Sequence, residues 1–104
     1  MSIYKINFDK KSSVLNIGFG KPASNNDIVK EIEEKMKEIS PEIVGTKCLK
    51  ITGPCSLPGA MVIAHSVAHI VGAVAVFDPK INSYIIVVSH DKNYEIGDIL
   101  INNL

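Results

Sequence analysis

The run Ala73-Val74-Ala75-Val76-Phe77 contains no polar residue and is bounded by Gly72 on one side and Asp78-Pro79 on the other. An unbroken apolar run of this length is the pattern of a strand covered on both faces, and such strands sit beside parallel neighbours. A parallel neighbour requires a crossover, and the preceding residues supply one. Cys48, Leu49, Ile51 and Thr52 read as a short strand that breaks at Gly53-Pro54. A helix then runs from Leu57 to Ile70, with Ser56 as its cap and Pro58 in its first turn. The unit from Cys48 to Phe77 is therefore expected to be a right-handed parallel crossover.

The flanking sequence extends this unit at both ends. Tyr4, Ile6 and Phe8 alternate with Lys5 and Asn7, and Leu15, Ile17 and Phe19 alternate with Asn16 and Gly18, which predicts two half-buried strands joined by the turn Asp9-Lys10-Lys11-Ser12. Ser24 precedes Asp27 by three residues, and Ile28, Ile32, Met36 and Ile39 then recur at helical spacing until Ser40-Pro41, where the helix is expected to end. Glu31 with Lys35 and Glu33 with Lys37 form i,i+4 pairs that read as a solvated face. Tyr84 to Val88 is a further strand ending at Ser89-His90, and a weaker strand-like piece lies around Ile99. The expected fold is one α/β domain over residues 1–104 in the order ββαβαββ, with a mixed sheet of about five strands and two helices in two or three layers.

Composition limits the functions such a domain can have. All 11 basic residues are lysines and the formal net charge is zero, so no broad cationic face exists to hold duplex DNA by counterion release. No apolar stretch has the ~20 residues of a membrane span, and the first residues lack a basic region followed by an apolar run. The expected location is the cytoplasm, where Cys48 and Cys55 stay reduced.

Open α/β sheets place ligands outside the carboxyl ends of their parallel strands, where helix N-termini offer unpaired N–H groups. Gly53-Pro54-Cys55-Ser56 lies at that edge, and Asp78 and Lys80 emerge beside it from the neighbouring strand. Together they suit a phosphate, although Gly-Pro and Asp-Pro also serve simply as turns. His65 and His69 are four apart on the second helix, a spacing suited to a metal or a scissile phosphate and equally to hydrogen-bonded core residues. From Ser56 to His69 a helix climbs ~20 Å, so His69 is expected at the opposite edge from Gly53 and Asp78. An antiparallel last strand brings His90 to the edge of His69. If both edges serve one reaction, two subunits must stack head to tail, a contact that can propagate into filaments.

The stretches Ile51-Thr52-Gly53-Pro54, Ala64-His65-Ser66-Val67-Ala68-His69, Val74-Ala75-Val76-Phe77-Asp78-Pro79-Lys80, Val88-Ser89-His90 and Ile96-Gly97-Asp98 resemble the small ring nucleases of type III CRISPR systems, the CRISPR-associated csx-three family. The resemblance implies a CARF-like (Rossmann-like) fold, a homodimer, and manganese-dependent cleavage of the cyclic oligoadenylate messenger cyclic tetra-adenylate, sandwiched between stacked dimers. Members of the family have also been described as manganese-dependent exonucleases on RNA 3' poly(A) ends. Carried across, it implies that His69 acts on the phosphate or its leaving oxygen, Asp78 holds metal or orients the nucleophile, and Lys80 balances the anionic transition state. His65 and His90 are the next implied metal ligands or positioning groups, with Gly53, Pro54, Cys55 and Ser56 against the substrate. Lys80 stands where the family commonly has arginine, which keeps the charge and loses the bidentate fork. That exchange is what would favour a module that binds the ring without cutting it.

Overall fold

A computed structural model describes residues 3–101. The two alternating segments form the expected hairpin: β1 (Tyr4–Asp9) pairs antiparallel with β2 (Val14–Phe19), in a register that sets Tyr4 opposite Phe19 and Phe8 opposite Leu15. Three further strands, β3 (Cys48–Thr52), β4 (Ala73–Asp78) and β5 (Ser83–Ser89), lie where the apolar runs predict them. The piece around Ile99 is a sixth strand, β6 (Ile99–Ile101), so the sheet has six strands where about five were expected.

The strands stand side by side in chain order. β2, β3 and β4 are mutually parallel, while β1, β5 and β6 each run antiparallel to the neighbour that precedes or follows them. The two crossovers, α1 (Asn25–Ile43) between β2 and β3 and α2 (Leu57–Val67) between β3 and β4, step in the same direction across the sheet. Two right-handed crossovers stepping the same way lie on the same face. The architecture is accordingly two-layered: Ile28, Ile32, Met36 and Ile43 of α1 and Ile63 and Val67 of α2 share one core with Leu15, Ile17, Leu49, Ile51 and Val74 of the sheet. On the reverse face Cys48, Ala73, Ala75, Tyr84 and Ile86 form a smaller core, closed by Phe77, Tyr94 and Leu100.

Both helix ends depart from the sequence reading. α1 continues through Pro41 to Ile43 instead of stopping at Ser40-Pro41. A proline in the last turn forfeits a single backbone bond, and the fully buried Ile43 gives the extra turn its anchor. α2 stops at Val67, three residues before the expected Ile70, and closes through a tighter turn in which Ile70 N–H reaches the Val67 carbonyl at 3.1 Å. Gly72 then threads past Lys47, where a Cβ would come within 2.6 Å of the Lys47 carbonyl oxygen.

The charged side of α1 is only partly a solvated face. Glu33 and Lys37 pair at 3.9 Å on the surface as their spacing predicts. Glu31 and Lys35 turn instead to β1: Glu31 Oε2 accepts from the backbone N–H groups of Ile3 at 2.7 Å and Tyr4 at 3.1 Å, and Lys35 Nζ donates to the Tyr4 carbonyl at 2.6 Å. Tyr4 is the first residue of an edge strand, and these bonds serve backbone groups that the hairpin ladder leaves open. Ser24 is the N-cap residue of α1 as expected, but its hydroxyl donates to the Asp27 carboxylate and accepts no cap bond from the helix backbone.

Candidate functional site

The parallel strands β2, β3 and β4 all end at one edge of the sheet, here the upper edge, and both helices begin there. The Gly53–Ser56 loop is held by contacts on three sides. Gly53 adopts φ +117°, and any Cβ there would overlap the Ile17 carbonyl group, so the backbone lies directly on β2. Ser56 is the N-cap of α2, its Oγ accepting from Gly59 N–H at 3.2 Å, while its own N–H donates to the Tyr4 hydroxyl at 3.2 Å. Pro58 has no N–H to offer, which leaves Leu57 N–H and the Ser56 hydroxyl proton as donors from this first turn. The anion-binding capacity of the turn is therefore narrower than the sequence pattern suggested.

Asp78 ends β4 at the same edge, opposite Ser83. Its Oδ1 accepts from Lys80 N–H at 2.9 Å, shaping the turn into β5. The Lys80 side chain is exposed beside it. Lys21 leaves β2 at this edge too, its N–H bonded to the Ile3 carbonyl at 3.3 Å, and sequence reasoning passed over it. Gly53, Pro54, Cys55, Ser56, Asp78 and Lys80 thus share one edge, as their positions predict.

The histidines are elsewhere. His90 follows β5 at the lower edge, its N–H bonded to the Gly72 carbonyl at 2.8 Å, and its ring lies 5.5 Å from that of His69, centroid to centroid. His69 reaches this position from the turn beyond α2, because the helix ends at Val67. His65 remains on α2, and all three imidazoles are exposed, which overturns the alternative that His65 or His69 is a core residue. From Ala73 at the lower end of β4 to Asp78 at its upper end a strand spans ~17 Å. Among the described residues, no group of three or more histidine, cysteine or acidic side chains is arranged to hold a metal ion. Within one subunit the structure thus brings His69 and His90 together and leaves Asp78 at the opposite edge.

A pocket of about 170 Å³ opens under the loop between α2 and the sheet, lined by Thr52, Gly53 and Cys55 near the edge and by Ala64, Val76 and Val87 deeper in. Burial pushes the Cys55 thiol above its ordinary pKa, so it stays protonated at neutral pH and serves as an apolar wall. Beyond the pocket the helix-side face is open at several apolar positions among the described residues: Val76, Val87 and Ile99 are exposed there, as are Leu57 and Met61 on α2, at 76% and 66%. No helix among the described residues is long and apolar enough to cross a membrane.

Comparison with known proteins agrees with this arrangement at the level of the family. No curated protein and no solved structure matches the chain. The family model described as CRISPR-associated protein (Cas_csx3) matches residues 25–101, which spans α1, the whole crossover unit, both candidate edges and β6. The chain belongs to this CRISPR-associated family.

Proposed function

We propose that the protein is a ring nuclease of type III CRISPR defence, acting in the cytoplasm on cyclic tetra-adenylate at a site composed of the upper edge of one subunit and the lower edge of the next. The observation that supports it most is the division of the chemistry: the Gly53–Ser56 loop with Asp78 and Lys80 at one end of the sheet, the His69–His90 pair at the other. A phosphodiester bridging two stacked subunits meets both sets. Lys80 and the loop donors hold the non-bridging oxygens, and the Asp78 carboxylate orients the attacking ribose 2'-hydroxyl or water and takes its proton as the new P–O bond forms. His69 delivers a proton to the ribose oxygen that leaves as the P–O bond breaks. Manganese belongs to the family expectation, and His65, His69, Asp78 and His90 are the residues that would hold it in the stacked site.

A stack of this kind also needs lateral pairing into the homodimer and CARF-like arrangement that the family resemblance implies. The exposed Leu57, Met61, Val76 and Val87 provide an apolar face of the kind that marks protein contacts. Substituting Met61→Glu is expected to convert a dimer to a monomer in sedimentation equilibrium at micromolar concentration while leaving the circular dichroism spectrum unchanged. A wild-type chain that is already monomeric under those conditions would remove the lateral pairing from the reading.

The direct test is incubation of the protein with cyclic tetra-adenylate, with and without Mn²⁺, followed by separation of linear products. Ring opening supports the reading. Binding without cleavage replaces it with a sensor or sequestering module, the alternative favoured by Lys80 in place of arginine, and shortening of a linear RNA with an adenosine tail but not of the ring replaces it with a deadenylating exonuclease. Absence of binding defeats it.

A further inference from the structure

The side chains that α1 turns toward β1 have no role in the chemistry above, and they converge on one residue. Tyr4 is bound at its N–H by Glu31, at its carbonyl by Lys35, and at its ring by Phe19, whose ring packs edge-on at 5.6 Å. Its hydroxyl accepts the Ser56 N–H at 3.2 Å, across 52 residues of sequence. Tyr4 is 3% exposed, far more buried than a tyrosine on an edge strand needs to be.

We infer that Tyr4 is a positioning residue for the Gly53–Ser56 loop, forming with Glu31 and Lys35 a strut that carries the placement of α1 through β1 to the start of α2. The loop's other attachments act at different points: Gly53 rests on β2, and the Ser56 hydroxyl caps α2 from above. Neither fixes the Ser56 backbone in the direction of the sheet. The Tyr4 hydroxyl does, and it thereby sets which way the two remaining donors of the turn, Leu57 N–H and the Ser56 hydroxyl, are presented at the edge. Because Ser56 N–H is consumed by this bond, the strut also decides that the backbone donor offered to a ligand is one residue further on. The consequence for catalysis rests on the ring-nuclease reading; the strut itself does not.

Tyr4→Phe removes the hydroxyl and keeps the ring against Phe19, and Glu31→Gln weakens the clamp while keeping an acceptor oxygen. Two measurements on the full chain separate the claims. The first, amide hydrogen exchange without ligand, is expected to show the Ser56 amide of Tyr4→Phe exchanging about tenfold faster than wild type, the loss of one hydrogen bond, with the β3 and β4 amides unchanged. Glu31→Gln is expected to show a smaller change at the same amide. The second, steady-state cleavage of cyclic tetra-adenylate, is expected to show KM raised about fivefold with kcat within about twofold, since a ground-state contact is lost equally from substrate and transition state.

An unchanged Ser56 amide overturns the strut, and acceleration spread evenly over all amides overturns it in favour of a general stability role. A faster Ser56 amide with unaltered KM in an active enzyme overturns the link to substrate. A wild-type protein inert toward the ring defeats the ring-nuclease reading and leaves the exchange result to decide the strut alone.

Discussion

His69→Ala and Asp78→Ala proteins are each expected to cleave cyclic tetra-adenylate about 10²–10⁴-fold more slowly than wild type, and an equimolar mixture of the two is expected to recover about a quarter of wild-type activity. The recovery follows from the separation of the two edges. In a head-to-tail stack every junction uses Asp78 of one subunit and His69 of the next. In a random mixture one junction in about four receives an intact residue from each side. A site contained within one subunit would give no recovery, because every chain would carry a defect. Asp78→Asn is the necessary companion: its amide oxygen still accepts from Lys80 N–H, so the turn that the carboxylate shapes at 2.9 Å survives while the charge is lost. Equal defects in the alanine and asparagine variants assign the effect to the charge. A defect confined to alanine assigns it to the turn.

The second large effect concerns stability. Gly53→Ala is expected to cost about 2–4 kcal/mol, measured by urea unfolding, and to lower Tm by roughly 10–20 °C for a domain of this size. Two penalties combine there. At φ +117° an L side chain is strained, and its Cβ meets the carbonyl of Ile17, a backbone group that cannot rotate away as a side chain could. Gly45 and Gly97 provide the internal controls, since they also have positive φ, +88° and +96°, but nothing lies within 4 Å of where a Cβ would be. Their alanine variants are expected to lose about 1 kcal/mol each. Were Gly53→Ala no worse than these, the close packing of the loop on β2 would not be what fixes its shape.

Local pattern made much of this protein legible before any coordinates. The unbroken apolar run at Ala73–Phe77, the alternation in Tyr4–Phe8 and Leu15–Phe19, and the Ser56 cap each report chemistry within a few residues, and the elements they predict are present. Parallel pairing of β3 and β4 around a helix was enough to place Gly53 and Asp78 at one edge, and antiparallel pairing of β5 was enough to place His90 near His69. These are consequences of strand direction, which spacing alone can give.

What lay outside the reach of pattern was every outcome in which a distant group overrides a local preference. Pro41 argues for a helix end, yet burial of Ile43 carries α1 two residues further. His69 carries a helical spacing from His65, yet sits in a turn because the chain must tighten toward Gly72 and its passage beside Lys47. Glu31 and Lys35 match a solvated pair as well as Glu33 and Lys37 do, and only the approach of β1, with backbone groups left open at Tyr4, draws one pair away from water and leaves the other on the surface. The placement of both helices on one face, the exposure of Val87 and Ile99 on β5 and β6, and the bond from Ser56 to Tyr4 were likewise decided in three dimensions, because each depends on which segments meet and not on how any one of them is patterned.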